Sequence, residues 1–393
     1  MTLPAQPFFA TPAQRLAWAR QRFFERGEAP SGLLGEALIQ SWQRCVRAGR
    51  EGSERVALEP VSALRLDSAL RRSRQLCEAA AESFQRLELA LGGSGCRLLL
   101  ADAEGMIVRL SQAPASAARD EGVLPQLARL GVNVSESLLG TNAPGVVLRT
   151  GQACSVSGPE HFFEQVAAIH CAAAPIRDTQ GRLAGVLDLS IEAPSGFGFD
   201  AQPLVGLYAS AIENRLLRAQ SEQHLVVELQ ASPELLGTPL AGLLGIAPDD
   251  GRLAWMNATA ARLLGARDDD DGEGRHAEAL LGLGLSALLA HSRHAELALL
   301  HLPNGLTVWA RVQLQARDGL RGGVVAAAAP QPAAPVAAAP LAAEATSAPS
   351  LVDASRELIA TTLQACGGNV SAAARRLGVS RGRVYRQLRE GAR

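Results

Sequence analysis

The sequence predicts a multidomain α+β chain that ends in an all-α three-helix unit, and three observations predict it. The hydrophobic period switches from helical to alternating near residue 92, residues 324–350 are two-thirds Ala and Pro, and the last 43 residues hold two helix caps around a turn glycine. With 393 residues, 47% of them hydrophobic, the chain can build two or three cores at roughly 150 residues per domain.

The elements follow in order. Residues 11–48 carry Leu16, Phe23 and Phe24, then Leu34, Leu38, Trp42 and Cys45 at three- and four-residue intervals, which predicts two amphipathic helices. Ser62 to Ala90 continues the pattern through Leu64, Leu70, Leu76, Ala80, Phe84 and Leu87, and Gly92-Gly93 stops it. Cys96 to Leu110 reads as two strands around the turn Asp102-Ala103-Glu104-Gly105, and Ala172 to Ser190 as a second hairpin around Asp178 to Gly181. Between them lie Gly140 to Val147, a short strand near Ala153 to Ser157, and an expected helix from Pro159 to Ala168.

Ala201 to Leu229 reads as one long helix, with Leu204, Leu207, Tyr208, Ala211, Ile212, Leu216 and Leu225 on or near one face. Leu240 to Gly265 reads as strand, Asp-Asp-Gly turn, strand, and a helix opened by Asn257. Leu302 to Gln315 adds two strands around Asn304-Gly305. The acidic run Asp268 to Asp271 is expected to be a solvated loop, because consecutive carboxylates converge poorly on one ion.

Residues 324–350 hold 13 Ala and 5 Pro among 27 residues, with Glu344 the only charge, and read as a linker. Proline favours extended backbone at about 3.1 Å per residue, so its span is at most on the order of 80 Å. Such a tether uncouples its two sides.

Charge separates the chain at the same place. All 38 residues counted as Lys plus Arg are Arg, so chemistry that needs a lysine amine, a P-loop ATPase or a Schiff base among it, is excluded from these residues. Residues 351–393 hold eight Arg against three acids, a net of +5, and the rest of the chain, whose total is −1, must then carry −6. A basic tail on an acidic body points to a nucleic-acid module joined to something that does not touch nucleic acid.

The six cysteines (45, 77, 96, 154, 171 and 366) form no C-x-x-C pair, which suits a reducing compartment. No basic start followed by an apolar core opens the chain, and no long Leu, Ile or Phe run follows, so a cytoplasmic protein without a membrane partner is expected.

The C-terminal unit is the most specific signal. Leu351 to Ala365 reads as a helix stopped by Cys366-Gly367-Gly368. Asn369 caps a second helix that Gly378 ends, and Ser380 caps a third. Small Ala373 and Ala374 allow close helix approach, while Leu377, Val379, Val384 and Leu388 close a miniature core. Arg381, Arg383, Arg386 and Gln387 then face outward near the start of the last helix, the end that enters a major groove in a helix-turn-helix. The alternative is a cationic surface helix with no partner.

These residues resemble the Fis-type helix-turn-helix through Gly368-Asn369, Ala373-Ala374-Arg375, Leu377-Gly378-Val379-Ser380-Arg381 and Tyr385-Arg386-x-Leu388, over about a tenth of the chain. The resemblance implies duplex DNA as partner and Asn369, Ser371, Ser380, Arg381, Gly382, Arg383, Tyr385, Arg386 and Gln387 as its contact set. Gly382 weakens the last helix by about 1 kcal/mol relative to Ala but permits close backbone approach.

A second resemblance spans residues 39–190. Ile39-x-Ser41-Trp42-x-Arg44-Cys45, Glu136-x-x-x-Gly140-Thr141-Asn142-Ala143, Gly158-x-Glu160-His161-Phe162 and Cys171-x-Ala173-Ala174-Pro175-Ile176 resemble the sensory half of acetoin-catabolism-type (AcoR-like) regulators. There a GAF domain precedes an ATPase that activates sigma-54 polymerase. Residues 240–318 resemble a degenerate PAS domain. The expected organisation is therefore an N-terminal helical region (1–75), a GAF-like α/β sensor (76–230), a PAS-like α+β domain (238–320), the linker (324–350) and an all-α Fis-type helix-turn-helix (351–393).

Together these resemblances imply a ligand-responsive DNA-binding transcription regulator, a homodimer with a small-molecule effector, lacking the central ATPase and its Walker lysine. Asn142, His161, Phe162 and Cys171 are the expected ligand-binding residues, and neither a cofactor nor a metal is expected. His161, Glu164, His170 and Cys171 are metal-ligand types, but their spacing does not bring them together. Two rival readings stay open. One is a GAF-type thiol enzyme or redox sensor using Cys96, Cys154 or Cys171. The other is an adaptor that pairs with RNA polymerase or with an ATPase-containing regulator.

Overall fold

The computed structural model describes residues 11–112, 122–266, 275–294 and 297–315, together with Val370. Two units divide after Val324, and the second, Val325–Arg393, lies outside the described residues apart from Val370. The expected contact set Asn369, Ser371, Ser380, Arg381, Gly382, Arg383, Tyr385, Arg386 and Gln387 falls there, as does the linker. The acidic run Asp268 to Asp271 is likewise outside them.

α1 (Pro12–Arg20) starts where the Thr11 side chain accepts a hydrogen bond from the Gln14 amide and proline sits in the first turn, and it runs on through a wider π-helical turn at Gln21–Glu25. α2 (Glu36–Arg47) buries Leu38, Ile39, Ser41, Trp42 and Cys45, the expected three- and four-residue face. The single helix expected over Ser62 to Ala90 is two, α3 (Ala63–Arg72) and α4 (Arg74–Ala90), because Ser73 between them leaves the helical backbone at φ −90° and ψ 11°.

The first sheet is antiparallel, in the order β2-β1-β5-β4-β3. Its strands are β1 (Arg97–Asp102), β2 (Ile107–Leu110), β3 (Cys154–Ser157), β4 (Ile169–Arg177) and β5 (Leu183–Glu192). The Asp102 carboxylate closes the β1–β2 turn by accepting from the amides of Glu104 and Met106. Between β2 and β3 lie the short α5 (Leu124–Leu127) and α6 (Glu136–Leu139), then α7 (Ala143–Thr150).

Strand alternation divides this sheet into two faces. Leu98, Leu100, Ala172, Ala174, Leu187 and Leu189 meet α4 and the later helix α8 (Ala201–Ala219). Leu99, Ala101, Cys171, Ala173 and Val186 face the α2, α5 and α7 side. Asp188 pairs with Ala173, and Ser190 with Cys171, so both fall on this second face.

Two expected helices are corrected. The helix expected over Ala201 to Leu229 stops at Ala219, and Leu225–Gln230 is strand β6. Ser221 turns its hydroxyl back onto the Leu217 carbonyl, Gln223 takes φ +69°, and the following Leu-Val-Val-Glu-Leu-Gln is buried on both faces as a central strand requires. The helix expected over Pro159 to Ala168 is two single 3₁₀ turns, Gly158–Glu160 and Glu164–Val166. His161 and Phe163 are extended between them, which lets Phe162 and Phe163 both be fully buried.

β6 is the centre of a second antiparallel sheet, in the order β8-β7-β6-β10-β9. The others are β7 (Gly242–Ile246), β8 (Leu253–Met256), β9 (Ala298–His301) and β10 (Thr307–Leu314), and α9 (Ala258–Leu264), α10 (Ala277–Leu281) and α11 (Leu285–His294) lie between β8 and β9. Asn257 caps α9 as expected, its Oδ1 accepting from the amides of Ala260 at 2.8 Å and Leu243 at 3.0 Å. Its Nδ2 donates to the Asn214 side chain of α8 at 2.8 Å, which ties α8 to this sheet. Among the described residues, no helix is long and apolar enough to cross a membrane.

Candidate functional site

The motif residues that lie far apart in sequence meet on the second face of the first sheet. From α2, Arg44 grips Glu136 with two nitrogens at 2.6 and 2.7 Å, and the Ser41 hydroxyl donates to the same carboxylate at 2.8 Å. This hydrogen bond to Glu136 raises the Arg44 pKa above its ordinary value. Ser41 also bonds the Thr141 hydroxyl at 2.7 Å.

Asn142 follows directly and caps α7, its Oδ1 accepting from the Gly145 amide at 2.8 Å while its Nδ2 donates to the Gly140 carbonyl at 2.8 Å. Gly140 itself is required, since at φ +63° a Cβ would stand 2.7 Å from the Phe163 ring.

The N-terminal helices also hold the segment that carries His161. Trp42 donates its indole N–H to the Glu160 carbonyl at 2.8 Å. The Arg20 guanidinium donates to the carbonyls of Pro159 and His161 at 2.8 and 2.9 Å and lies 4.6 Å from the Phe24 ring centre. Phe162, expected to bind ligand, packs instead between Phe163 and Phe24, with ring centres 5.1 and 5.6 Å away, and is not in the cavity wall.

His161 and Cys171, expected to stay apart, are 3.4 Å apart between Nε2 and Sγ. The extended backbone at His161, where a helix was expected, lets the ring reach β4. Its Nδ1 is 2.9 Å from the Gly158 carbonyl, an acceptor only, so Nδ1 carries the proton and Nε2 presents its lone pair to the thiol. Burial pushes His161 down to about 4 and raises Cys171 well above the ordinary thiol range, so both are neutral at pH 7. This is not an activated thiolate–imidazolium pair. Cys154 is likewise pushed up, to about 12, by burial.

His170, next to Cys171, points to the opposite face of β4 against Gly196. Among the described residues no group of three or more His, Cys, Asp and Glu side chains could hold a metal ion.

Asn142, His161 and Cys171 border a small cavity of about 20 Å³, together with Asp188 and Ser190 of β5 and apolar residues including Leu99, Leu139 and Ile169. That is roughly the space of one water molecule. Asp188 is buried, one carboxyl oxygen accepting from the Ser190 hydroxyl at 2.7 Å while the other has no partner, and burial pushes it up to about 7. Sequence reasoning missed Asp188 and Ser190. The signal was present: in Val186 to Ser190 an alternation of two puts a carboxyl and a hydroxyl on the face that holds Cys171.

Residues 10–214 match the family profile "MimR, N-terminal domain", and residues 350–391 match "Bacterial regulatory protein, Fis family". The chain is 32% identical over 249 residues to the acetoin catabolism regulatory protein of Cupriavidus necator, covering 60% of this chain and 36% of that protein. It is 27% identical over 311 residues to the propane 2-monooxygenase operon transcriptional activator MimR of Mycolicibacterium goodii, covering 77% of this chain and 48% of that protein. The match thus spans about a third to a half of the length of these two relatives. A crystal structure of the E. coli DhaR(N)–DhaL complex matches 71% of this chain and 99% of that chain, at 18% identity and a TM-score of 0.42.

Proposed function

The chain belongs to the family of the MimR N-terminal domain, and from that premise we propose that it is a ligand-responsive transcription regulator, sensing a small molecule around Asp188 and binding duplex DNA through residues 351–393. One observation carries the sensing half: a buried carboxyl with an unpartnered oxygen at a small cavity, which His161 of the segment clasped by Arg20 and Trp42 also borders. An orphaned polar atom in an apolar interior costs about 1–3 kcal/mol, and a ligand hydroxyl donating to it, or a ligand carbonyl accepting from the carboxyl when that is protonated, recovers that cost. The cavity is smaller than such a ligand, so binding requires the clasp to yield.

DNA binding rests on the Fis-family match and on the +5 charge of the C-terminal 43 residues. On this reading the protein acts as a cytoplasmic homodimer, its two recognition helices reaching half-sites about 34 Å apart. The Ala- and Pro-rich composition of residues 324–350 favours control through assembly rather than through a rigid lever. The adaptor role beside an ATPase-containing regulator or RNA polymerase is compatible with the absence of a Walker lysine in these residues. The thiol-enzyme reading is disfavoured by the neutral His161–Cys171 pair.

The test measures thermal unfolding and DNA binding of the full chain with acetoin, glycerol and acetone as small neutral probes. At least one probe raises the melting temperature and changes affinity for the DNA upstream of its own gene, and Asp188→Asn abolishes both effects. No response to any probe, with DNA binding intact, would remove the sensing half. Loss of DNA binding from the parent chain itself would remove the other.

A further inference from the structure

A second cavity, of about 230 Å³, is bordered by α4, the C-terminal half of α8, β6 and the Gly237–Pro239 segment. Its charges are unbalanced. Glu82 alone answers two guanidiniums, Arg86 at 2.5 Å and Arg215 at 2.6 Å. Glu228 alone answers two more, Arg218 at 3.0 Å and Arg311 at 3.8 Å. Four guanidiniums therefore share two carboxylates; three of them, Arg86, Arg215 and Arg218, line the cavity beside Glu228, a surplus of one positive charge there once Glu82 is counted. This surplus stands out on a body whose net charge is −6.

The guanidinium nitrogens are not exhausted either. Arg86 and Arg218 each use one terminal nitrogen on protein partners, and Arg215 uses two, one of them donating to the Ser83 hydroxyl at 3.1 Å.

Part of the lining is apolar, on the α8 turns that precede Arg215. Leu207 of α8 borders the cavity while 40% exposed, an uncovered leucine beside a cationic cluster, and Ala211 and Pro239 extend the same surface. An occupant that satisfies both sides has a compact apolar body and one anionic end. Guanidinium forks match a carboxylate in charge and shape.

We propose that this cavity binds a small organic carboxylate with an aromatic or branched aliphatic body, as a ligand site separate from the one around Asp188. The carboxylate lies among Arg86, Arg215 and Arg218, and its apolar body lies on Leu207. Because Arg218 belongs to α8 and its protein partner Glu228 to β6, the occupied site adjoins the last helix on the first sheet and the central strand of the second.

Isothermal titration of the full chain with benzoate, against benzamide as the neutral isostere and sulfate as the bare anion, tests this. Benzoate binds at least about tenfold more tightly than either control, a ratio corresponding to about 1.4 kcal/mol. Arg215→Gln and, separately, the surface variant Arg86→Gln each weaken it severalfold, and Leu207→Trp blocks it. Arg86→Gln leaves the circular dichroism spectrum unchanged, which keeps the test valid should Arg215→Gln unfold. The proposal fails if benzoate gives no heat at concentrations on the order of 10 mM. It fails equally if benzamide or sulfate matches benzoate, or if Arg86→Gln and Leu207→Trp both bind as the parent does.

Discussion

The Nε2 of His161 lies 3.4 Å from the Sγ of Cys171, a contact assembled from an extended residue between two 3₁₀ turns and the buried strand beside them. The distance is that of a nucleophilic pair, but the surroundings are not. Both groups are stripped of water, so each keeps its uncharged form, and the pair behaves as a polar patch on a cavity wall.

Thiol reactivity checks this directly. In the native chain at pH 7.5, an alkylating reagent modifies the partly exposed Cys77 and Cys96 well before the buried Cys45 and Cys171, which react fully only in denaturant. Mass spectrometry of timed digests reads the order. Rapid modification of Cys171 at neutral pH would contradict the neutral pair.

The pH dependence of stability holds two opposed contributions. His161 falls from 6.5 to about 4 on folding, so its neutral form is favoured in the fold and stability from this residue declines as pH drops from 6.5 to 4. Asp188 rises from 3.8 to about 7, so its stability contribution is full below 3.8 and is lost as pH climbs through 7. Each spans on the order of 3 kcal/mol, and between pH 4 and 6.5 the two slopes oppose each other. Relative to the parent, Asp188→Asn gains urea resistance as pH rises across this window, and His161→Gln loses it. Parallel curves for all three proteins would refute the assignment.

The Arg44–Glu136 pair is half-buried and bidentate, so removing one partner strands the other charge. Arg44→Ala costs about 2–4 kcal/mol, and Arg44→Lys recovers only part of it because an ammonium cannot make the double contact. In a urea double-mutant cycle with Glu136→Gln, the coupling is about 1–3 kcal/mol. A coupling near zero would show that this ion pair does not help to hold α2.

For the C-terminal unit, Arg381→Ala and Arg386→Ala each weaken binding to upstream DNA and reduce the slope of log K against log salt by about 1 where the residue meets phosphate. Fluorescence anisotropy across a salt series measures both. Unchanged affinity and slope in both variants would remove these residues from the interface.

What the sequence made legible follows from locality. The hairpins at Asp102 to Gly105 and Asp178 to Gly181, and the Asn257 cap, are set by residues within a few positions of one another, and all stand as expected. The Ala201 to Leu229 expectation failed where helical and alternating patterns coincide, because Leu225 continues the helix face of α8 yet begins a strand buried on both sides. On the cavity wall, Asn142, His161 and Cys171 were legible only as single candidate residues. Their convergence was not, since it depends on strand register and on which face a buried carboxyl occupies.

The place of β6 in its sheet bears on how the chain is made. Its neighbours β7 and β10 come from opposite ends of the segment that follows, so as the chain leaves the ribosome one edge of Leu225–Gln230 is paired early. The other stays bare until Thr307–Leu314 has been synthesised. Through that interval a buried-type apolar strand offers free backbone donors and acceptors to any passing chain, an opening for misassembly during biosynthesis.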